Sequence, residues 1–324
     1  MSAAADSGDR RPLNLRIQRM QWEAEGVLSV ELRRPDGDEL PSYEPGAHVD
    51  LRLPNGLVRS YSLAGDPANR DRYVVGVGLD AASRGGSSFV HGKLRVGDRI
   101  DVEPPLNHFP LVEDAEKVVL LAGGIGITPM LCMARRLTER GRPLTFHYAV
   151  RSRERAAFLD QLEAMGADLR LHVDAEAGGP FDIAAAVAGH PAGTHFYCCG
   201  PGPMMAAFEA AVAEVPDERV HVEYFTPKAI ETEGADSAFT VRLARKGLTV
   251  EVPAGRSILG ALADAGVIVP SSCEDGICGT CETRVLDGVP DHRDSVLTKA
   301  EQQSNRTMMV CVSRCKGSGL VLDI

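Results

Sequence analysis

Near the C-terminus three cysteines fall within nine residues, in the run Ser-Ser-Cys273-Glu-Asp-Gly276-Ile-Cys278-Gly279-Thr-Cys281, and 29 residues separate the last of them from Cys311. This spacing constrains the fold more than any other feature of the chain. For four thiols to meet, the loop must double back within a few residues, and Cys311 must return to its mouth. Gly276 and Gly279 stand between the first three, where a residue without Cβ lets backbone N–H groups approach a sulfur. A zinc site usually shows two C-x2-C pairs, and only one is present here.

The order C-x4-C-x2-C…C is that of the plant-type loop that holds one [2Fe–2S] cluster through Cys273, Cys278, Cys281 and Cys311. Each iron takes two thiolates from the protein, so two irons take four. Such a centre carries one electron at a time, which asks where the electron comes from. Cys315 is a fifth candidate, but four ligands are already supplied. Like Cys132 and Cys198, it is expected to be a small core residue.

The 324 residues suggest two or three domains; 44% are hydrophobic and 25% charged, as in a globular protein. No apolar run approaches the length of a membrane span. The polar start, MSAAADSGDRRPLN, lacks the apolar region of a secretory leader. A cytoplasmic location is therefore expected, where thiols stay reduced and suit metal ligation. The net charge of −10 argues against a nucleic-acid partner and leaves room for a basic protein partner.

The chain changes character twice. Residues 1–12 read as a disordered tail. Residues 13–112 contain six short strands at close to period two, broken by turns such as Pro54-Asn55-Gly56, and suggest a small antiparallel β-barrel. Residues 113–227 alternate strand and helix, beginning with the apolar run KVVLLAGG and including a helix expected over 153–166, as in an open parallel α/β sheet. Residues 228–237 are polar and acidic and read as a linker. Residues 238–324 begin with a hairpin around Lys246-Gly247 and a helix, SILGALADAG, and end in the cysteine loop; an α+β, β-grasp ferredoxin domain is expected.

Four further motifs carry chemistry. Gly123, Gly124 and Gly126, with Thr128 and Pro129, end a strand and open a helix, where backbone N–H groups can receive a pyrophosphate. Cys199, Gly200 and Pro201 end a later strand of the same sheet and so share its carboxyl edge. In the barrel, Arg59, Ser60, Tyr61 and Ser62 offer a phosphate partner, an aromatic ring and hydroxyls that a flavin can use; read alone, R-x-Y-S is also an ordinary strand. Arg84, Gly85, Gly86 and Ser87, before a short helix, form a second phosphate cradle. The histidines show no metal-ligand spacing, and no nucleophile elbow is present.

Taken in order, RSYS, SRGGSSFVH, NHFPL, GGIGITPM, CCGPGPMM and the cysteine loop make the chain resemble the phthalate dioxygenase reductase family, of which vanillate demethylase reductases are close relatives. The resemblance covers nearly everything after residue 12. It implies FMN in the barrel, held by Arg59, Tyr61, Ser62, Gly85, Gly86 and Ser87, with the strand Val75-Gly76-Val77 against its ring. It places Thr128 between flavin and nicotinamide, Cys199 near the reactive carbon of NADH, and Phe225 on the flavin. Arg151, Ser152, Arg153 and Arg155 leave NADPH open as the donor. Ser62, Cys199 and Phe225 are the residues expected nearest the chemistry.

The function so implied is electron transfer from NADH through FMN and the cluster to a Rieske-type non-haem iron oxygenase acting on an aromatic or similar small compound. A cytochrome P450 is the runner-up partner. A non-enzymatic iron–sulfur sensor and a reductase for a separate ferredoxin are the rivals. No membrane is expected to take part.

Overall fold

The computed structural model describes residues 11–81, 83–228 and 237–324. The N-terminal tail and the linker expected at 228–237 fall almost wholly outside the described residues. The chain divides into two compact units, Met1–Gly200 with Met204–Ala213, and Pro201–Pro203 with Glu214–Ile324.

The first unit contains two sheets. Strands β1 (Leu13–Ala24), β2 (Val27–Arg33), β3 (His48–Arg52), β4 (Val58–Ser62), β5 (Tyr73–Gly78) and β6 (Arg99–Val102) pair in the order β4-β3-β6-β1-β2-β5. These neighbours pair antiparallel. A bridge between Leu63 and Val75 brings the two edge strands together and closes the sheet into the expected barrel. Alternation fills it: Leu15 and Ile17 on β1, Val30 and Leu32 on β2, and Val75 and Val77 on β5 point inward and are buried. Helix α1 (Gly86–Gly92) caps β5.

The second sheet of this unit is parallel. Strand β7 (Lys117–Gly123) is buried over six of its seven residues, as a strand covered on both faces must be. It pairs with β8 (Leu144–Val150) and β10 (Thr194–Cys199), and β8 pairs with β9 (Asp168–Val173). Helix α2 (Ile127–Glu139) follows β7, α3 (Leu159–Met165) follows β8, and α4 (Asp174–Ala177) and α5 (Ile183–Val187) follow β9. Helix α6 (Gly202–Ala211) follows β10. The parallel direction puts Gly123, Val150, Val173 and Cys199 at one carboxyl edge.

One helix departs from the sequence pattern. The stretch expected to be helical over 153–166 starts as a 3-10 turn at Arg153–Arg155, and α3 begins only at Leu159. Phe158 breaks it by adopting φ 60 while burying its ring. That conformation costs a non-glycine residue about 1–2 kcal/mol, less than the roughly 1.5–3 kcal/mol that full burial of a phenylalanine contributes.

The second unit carries β11 (Val220–Glu223) and a five-stranded mixed sheet. Its order is β13-β12-β18-β14-β16, from β12 (Phe239–Leu243), β13 (Leu248–Val252), β14 (Glu282–Asp287), β16 (Thr307–Met309) and β18 (Gly319–Leu322). The expected hairpin turns at Gly247, whose φ is 64, and β12 runs parallel to β18. Helix α7 (Ile258–Asp264), capped by Ser257, packs its buried Ile258, Ala261 and Leu262 into the core beneath. A small ribbon, β15 (Pro290–Asp291) with β17 (Arg314–Cys315), and helix α8 (Lys299–Ser304), which opens with a capping box, complete a β-grasp. No helix among the described residues is long and apolar enough to cross a membrane.

Candidate functional site

The four cluster cysteines lie on the loop before β14 and directly after β16. Cys278, Cys281 and Cys311 are buried and Cys273 is half-buried. They stand as two pairs: the Cys273 thiol meets that of Cys278, and the Cys281 thiol meets that of Cys311. Among the described residues no three ligating groups converge on one point. A single ion requires that convergence; a two-iron cluster requires two pairs instead.

The backbone completes the pocket. The Asp275 N–H donates to the Cys273 sulfur at 3.4 Å, Ile277 donates to the same sulfur, and Gly276 donates to Cys311. The turn needs left-handed backbone at Glu274, Gly276 and Gly279. Gly276 is fixed for a second reason: a Cβ there would lie 2.6 Å from Val312 Cγ2. Bonding from the Cys273 thiol lowers the Cys278 thiol to about 6, and bonding from Cys311 lowers Cys281. The same bonds raise their partners Cys273 and Cys311; a metal takes all four as thiolates. The residues therefore fit a [2Fe–2S] cluster.

The glycine turn between β7 and α2 fits a dinucleotide. Gly124 takes φ 53. Gly126 lies so close to the end of β10 that a Cβ would be 2.2 Å from the Cys199 carbonyl oxygen. Gly200 is also close-packed: a Cβ there would lie 2.7 Å from Met204 Sδ and 3.3 Å from the Gly123 Cα. Only glycines let the two strand ends and the helix start meet. No side chain caps α2 and no acidic residue stands in its first turn, so nothing there repels an anion, while the Ile127 N–H is taken by the Gly124 and Ile125 carbonyls of the preceding 3-10 turn. Pro129 stands in that first turn, where proline is tolerated. Cys199 is brought to this edge, as expected, and is wholly buried.

In the barrel, β4 pairs with β3 so that Ser60 lies opposite Asp50, and the Ser60 hydroxyl donates to the Asp50 carboxylate. Period two places Arg59 and Tyr61 on the other face. Burial pushes the Tyr61 phenol up to about 12, leaving it neutral. Ser62, facing the same way as Ser60, is buried. The Arg59 guanidinium donates to the carbonyls of Val58 at 2.7 Å and Arg84 at 3.4 Å. Among the described residues it has no carboxylate partner, so its charge is available to a phosphate.

The two motifs meet here. A Cβ on Gly86 would touch Arg59 Cγ at 2.8 Å, and Gly85 takes φ 92. The Ser83 hydroxyl gathers N–H donors from Gly85 at 3.2 Å and Ser88 at 3.3 Å, and the Ser87 hydroxyl at 3.0 Å. The cradle fits the phosphate of a mononucleotide. His91 Nε2 bonds the Val77 carbonyl at 2.9 Å, tying α1 to β5.

The flavin and nucleotide motifs also join within the first unit. Gly76 lies directly against Thr128, whose hydroxyl donates to Ile125 O at 3.1 Å. Phe158 also packs against Gly76; no local pattern marks it, because its role depends on an unfavourable backbone conformation. Cys132, expected to be structural, is so: its thiol reaches the carbonyls of Leu63 and Gly65, each at 2.9 Å, binding α2 to the barrel. Arg153 and Arg155, candidates for a 2′-phosphate, pair with Glu176 at 3.0 Å and Glu25 at 2.9 Å. Pro201 and Phe225 belong to the second unit, and Phe225 is exposed.

Comparison with known proteins agrees with this geometry. Residues 241–316 match the 2Fe-2S iron-sulfur cluster binding domain, and residues 120–210 match the oxidoreductase NAD-binding domain. The chain is 50% identical to the phenoxybenzoate dioxygenase subunit beta of Ectopseudomonas oleovorans over 100% of both chains. It is 41% identical to the solved phthalate dioxygenase reductase, described as a modular structure for electron transfer from pyridine nucleotides to [2Fe-2S], covering 97% of this chain and 98% of that one with a TM-score of 0.71. The chain belongs to the phthalate dioxygenase reductase family. Like that reductase, it is an oxidoreductase that joins an NAD-binding domain to a 2Fe-2S domain. It is also similar, at 40% identity and a TM-score of 0.90 over 97% of its length, to an intact type IV self-sufficient cytochrome P450 monooxygenase, of which it spans 41%.

Proposed function

We propose that the chain is the NADH-dependent reductase component of a multicomponent oxygenase, holding FMN in its barrel and delivering electrons from its cluster to a Rieske-type terminal oxygenase. The observation that carries this reading is the paired thiols of Cys273/Cys278 and Cys281/Cys311, on a chain that also has an uncapped glycine turn for a dinucleotide. A non-enzymatic sensor would need only the first. When bound, FMN takes a hydride from NADH and yields the electrons singly, as the cluster requires.

The residues supply binding, orientation and electrostatics. Arg59 and the Ser83–Ser88 loop anchor the flavin phosphate, and Tyr61 packs against the ring. Gly76, without a side chain, lets Thr128 pack directly against β5 at the junction of the flavin and nicotinamide sites. Gly123, Gly124, Gly126, Pro129, Gly200 and Pro201 shape the pyrophosphate site, with Cys199 at its floor. Ser62 stabilises the reduced ring, a role that rests on the family resemblance. Arg153 and Arg155, each neutralised by a glutamate, favour NADH over NADPH.

Cys278→Ser tests the electron order. It spares NADH-driven reduction of ferricyanide and abolishes reduction of cytochrome c; survival of both contradicts the reading. A cytochrome P450 as partner is the second reading, favoured by the TM-score of 0.90 to the P450 fusion. Reconstitution of the cytoplasmic protein with each oxygenase class, scored by product formed per NADH consumed, separates the two.

A further inference from the structure

The cluster loop rests on a buried carboxylate. Asp294 has no exposed side-chain surface, although a charged group is costly to bury. Its Oδ2 accepts from the N–H groups of Leu297 at 2.8 Å and Val296 at 3.2 Å. Its Oδ1 accepts from the Ser313 hydroxyl at 3.5 Å and lies 3.7 Å from His292 Nδ1. Among the described residues no lysine or arginine pairs with it.

Asp294 reaches both halves of the cluster loop. Its Cα would be 3.2 Å from a Cβ on Gly276, and the next residue, Ser295, donates to the Gly276 carbonyl at 2.8 Å. Gly276 in turn donates its N–H to Cys311. On the other side, Ser313 stands two residues after Cys311 and accepts from Arg293 N at 3.2 Å. The backbone at Asp294 and Ser295 thus abuts the segment carrying Gly276, while the Asp294 carboxylate bonds Ser313 in the segment carrying Cys311.

We propose that Asp294 is a positioning residue that holds these two segments together and, through its buried charge, keeps the reduction potential of the [2Fe–2S] cluster low. Reduction adds a negative charge to the cluster. A fixed negative charge in a low-dielectric surrounding opposes that addition, and solvent does little to screen it. A carboxylate that served only as a hydrogen-bond acceptor is replaceable by an amide without this effect.

The inference rests on the reading of the four cysteines as cluster ligands. The test is a spectroelectrochemical titration of the holoprotein, wild type against Asp294→Asn, followed at the visible bands of the cluster. The expected result is a cluster midpoint shifted to more positive potential, with the shift retained at about 1 M salt, where a surface charge is screened. A coincident or more negative midpoint overturns the proposal. If Asp294→Asn emerges without its cluster, Ser313→Ala decides. With one donor removed from the carboxylate, its charge is less compensated and the midpoint falls below wild type; an unchanged or raised midpoint overturns the proposal. If instead the wild type itself lacks the cluster bands, the ligand reading has failed, and the two failures are told apart.

Discussion

Gly76 on β5 and Thr128 in the first turn of α2 are in direct contact: a Cβ on Gly76 would lie 2.5 Å from Thr128 Cγ2 and 3.1 Å from the Phe158 ring. All three residues are buried, so none can swing into solvent. Gly76→Ala is expected to destabilise the protein by about 1–3 kcal/mol, as overpacking does. Thr128→Ser removes the methyl that clashes, so the double variant recovers part of the loss. Urea unfolding of the four proteins checks this; independent, additive losses contradict it.

Two glycines only two residues apart, Gly124 and Gly126, are expected to behave differently. Gly124 has φ 53 and open space around it, whereas Gly126 has the Cys199 carbonyl 2.2 Å from where a Cβ would be. Gly124→Ala costs only the left-handed backbone penalty of about 1–2 kcal/mol. Gly126→Ala forces α2 away from β10, and the KM for NADH rises by roughly tenfold or more, since about 1.4 kcal/mol of lost binding is a factor of ten. Steady-state kinetics with ferricyanide reads the difference. Equal KM values in the two variants contradict the account.

These contrasts show what was legible in the chain. The spacing of Cys273, Cys278, Cys281 and Cys311 requires a loop that closes on itself, and the apolar β7 followed by glycines requires a buried parallel strand; both are local signals. The contact of Gly76 with Thr128 joins residues far apart in sequence, so no local pattern announces it. Phe158 was hidden for a stronger reason: helical periodicity runs through it, and tertiary burial overrides that periodicity. Asp294 reads in sequence as an ordinary polar loop residue, and only the fold reveals it as buried.

Among the described residues Arg59 donates only to the backbone carbonyls of Val58 and Arg84. Arg59→Ala is therefore expected to cost little stability and much flavin. Loss of a charge-assisted bond of about 1.5–3 kcal/mol raises the flavin dissociation constant roughly 10- to 100-fold. Fluorescence of released flavin on dilution measures it, while the cluster absorbance stays unchanged. Wild-type flavin retention contradicts the assignment.

His147 on β8 makes stability depend on pH. Its Nε2 is buried with no hydrogen-bond partner. Burial, and then the nearby Arg170, push its value down from 6.5 to about 4. A histidine depressed in the folded state binds its proton more tightly once unfolded. Its contribution is complete above about 6.5 and is lost as the pH falls toward 4. His147→Gln is expected to flatten the slope of Tm against pH in that window. An unchanged slope contradicts the prediction.

The central claim is that one chain carries the whole path from NADH to a one-electron exit. Anaerobic titration of the holoprotein with NADH, followed across the visible spectrum, tests it most directly. Two electrons for the flavin and one for the cluster predict that both chromophores bleach and that the end point falls at about 1.5 equivalents of NADH. In Cys278→Ser the end point falls to about one equivalent and only the flavin bleaches. A cluster spectrum that NADH leaves unchanged in the wild type contradicts the account.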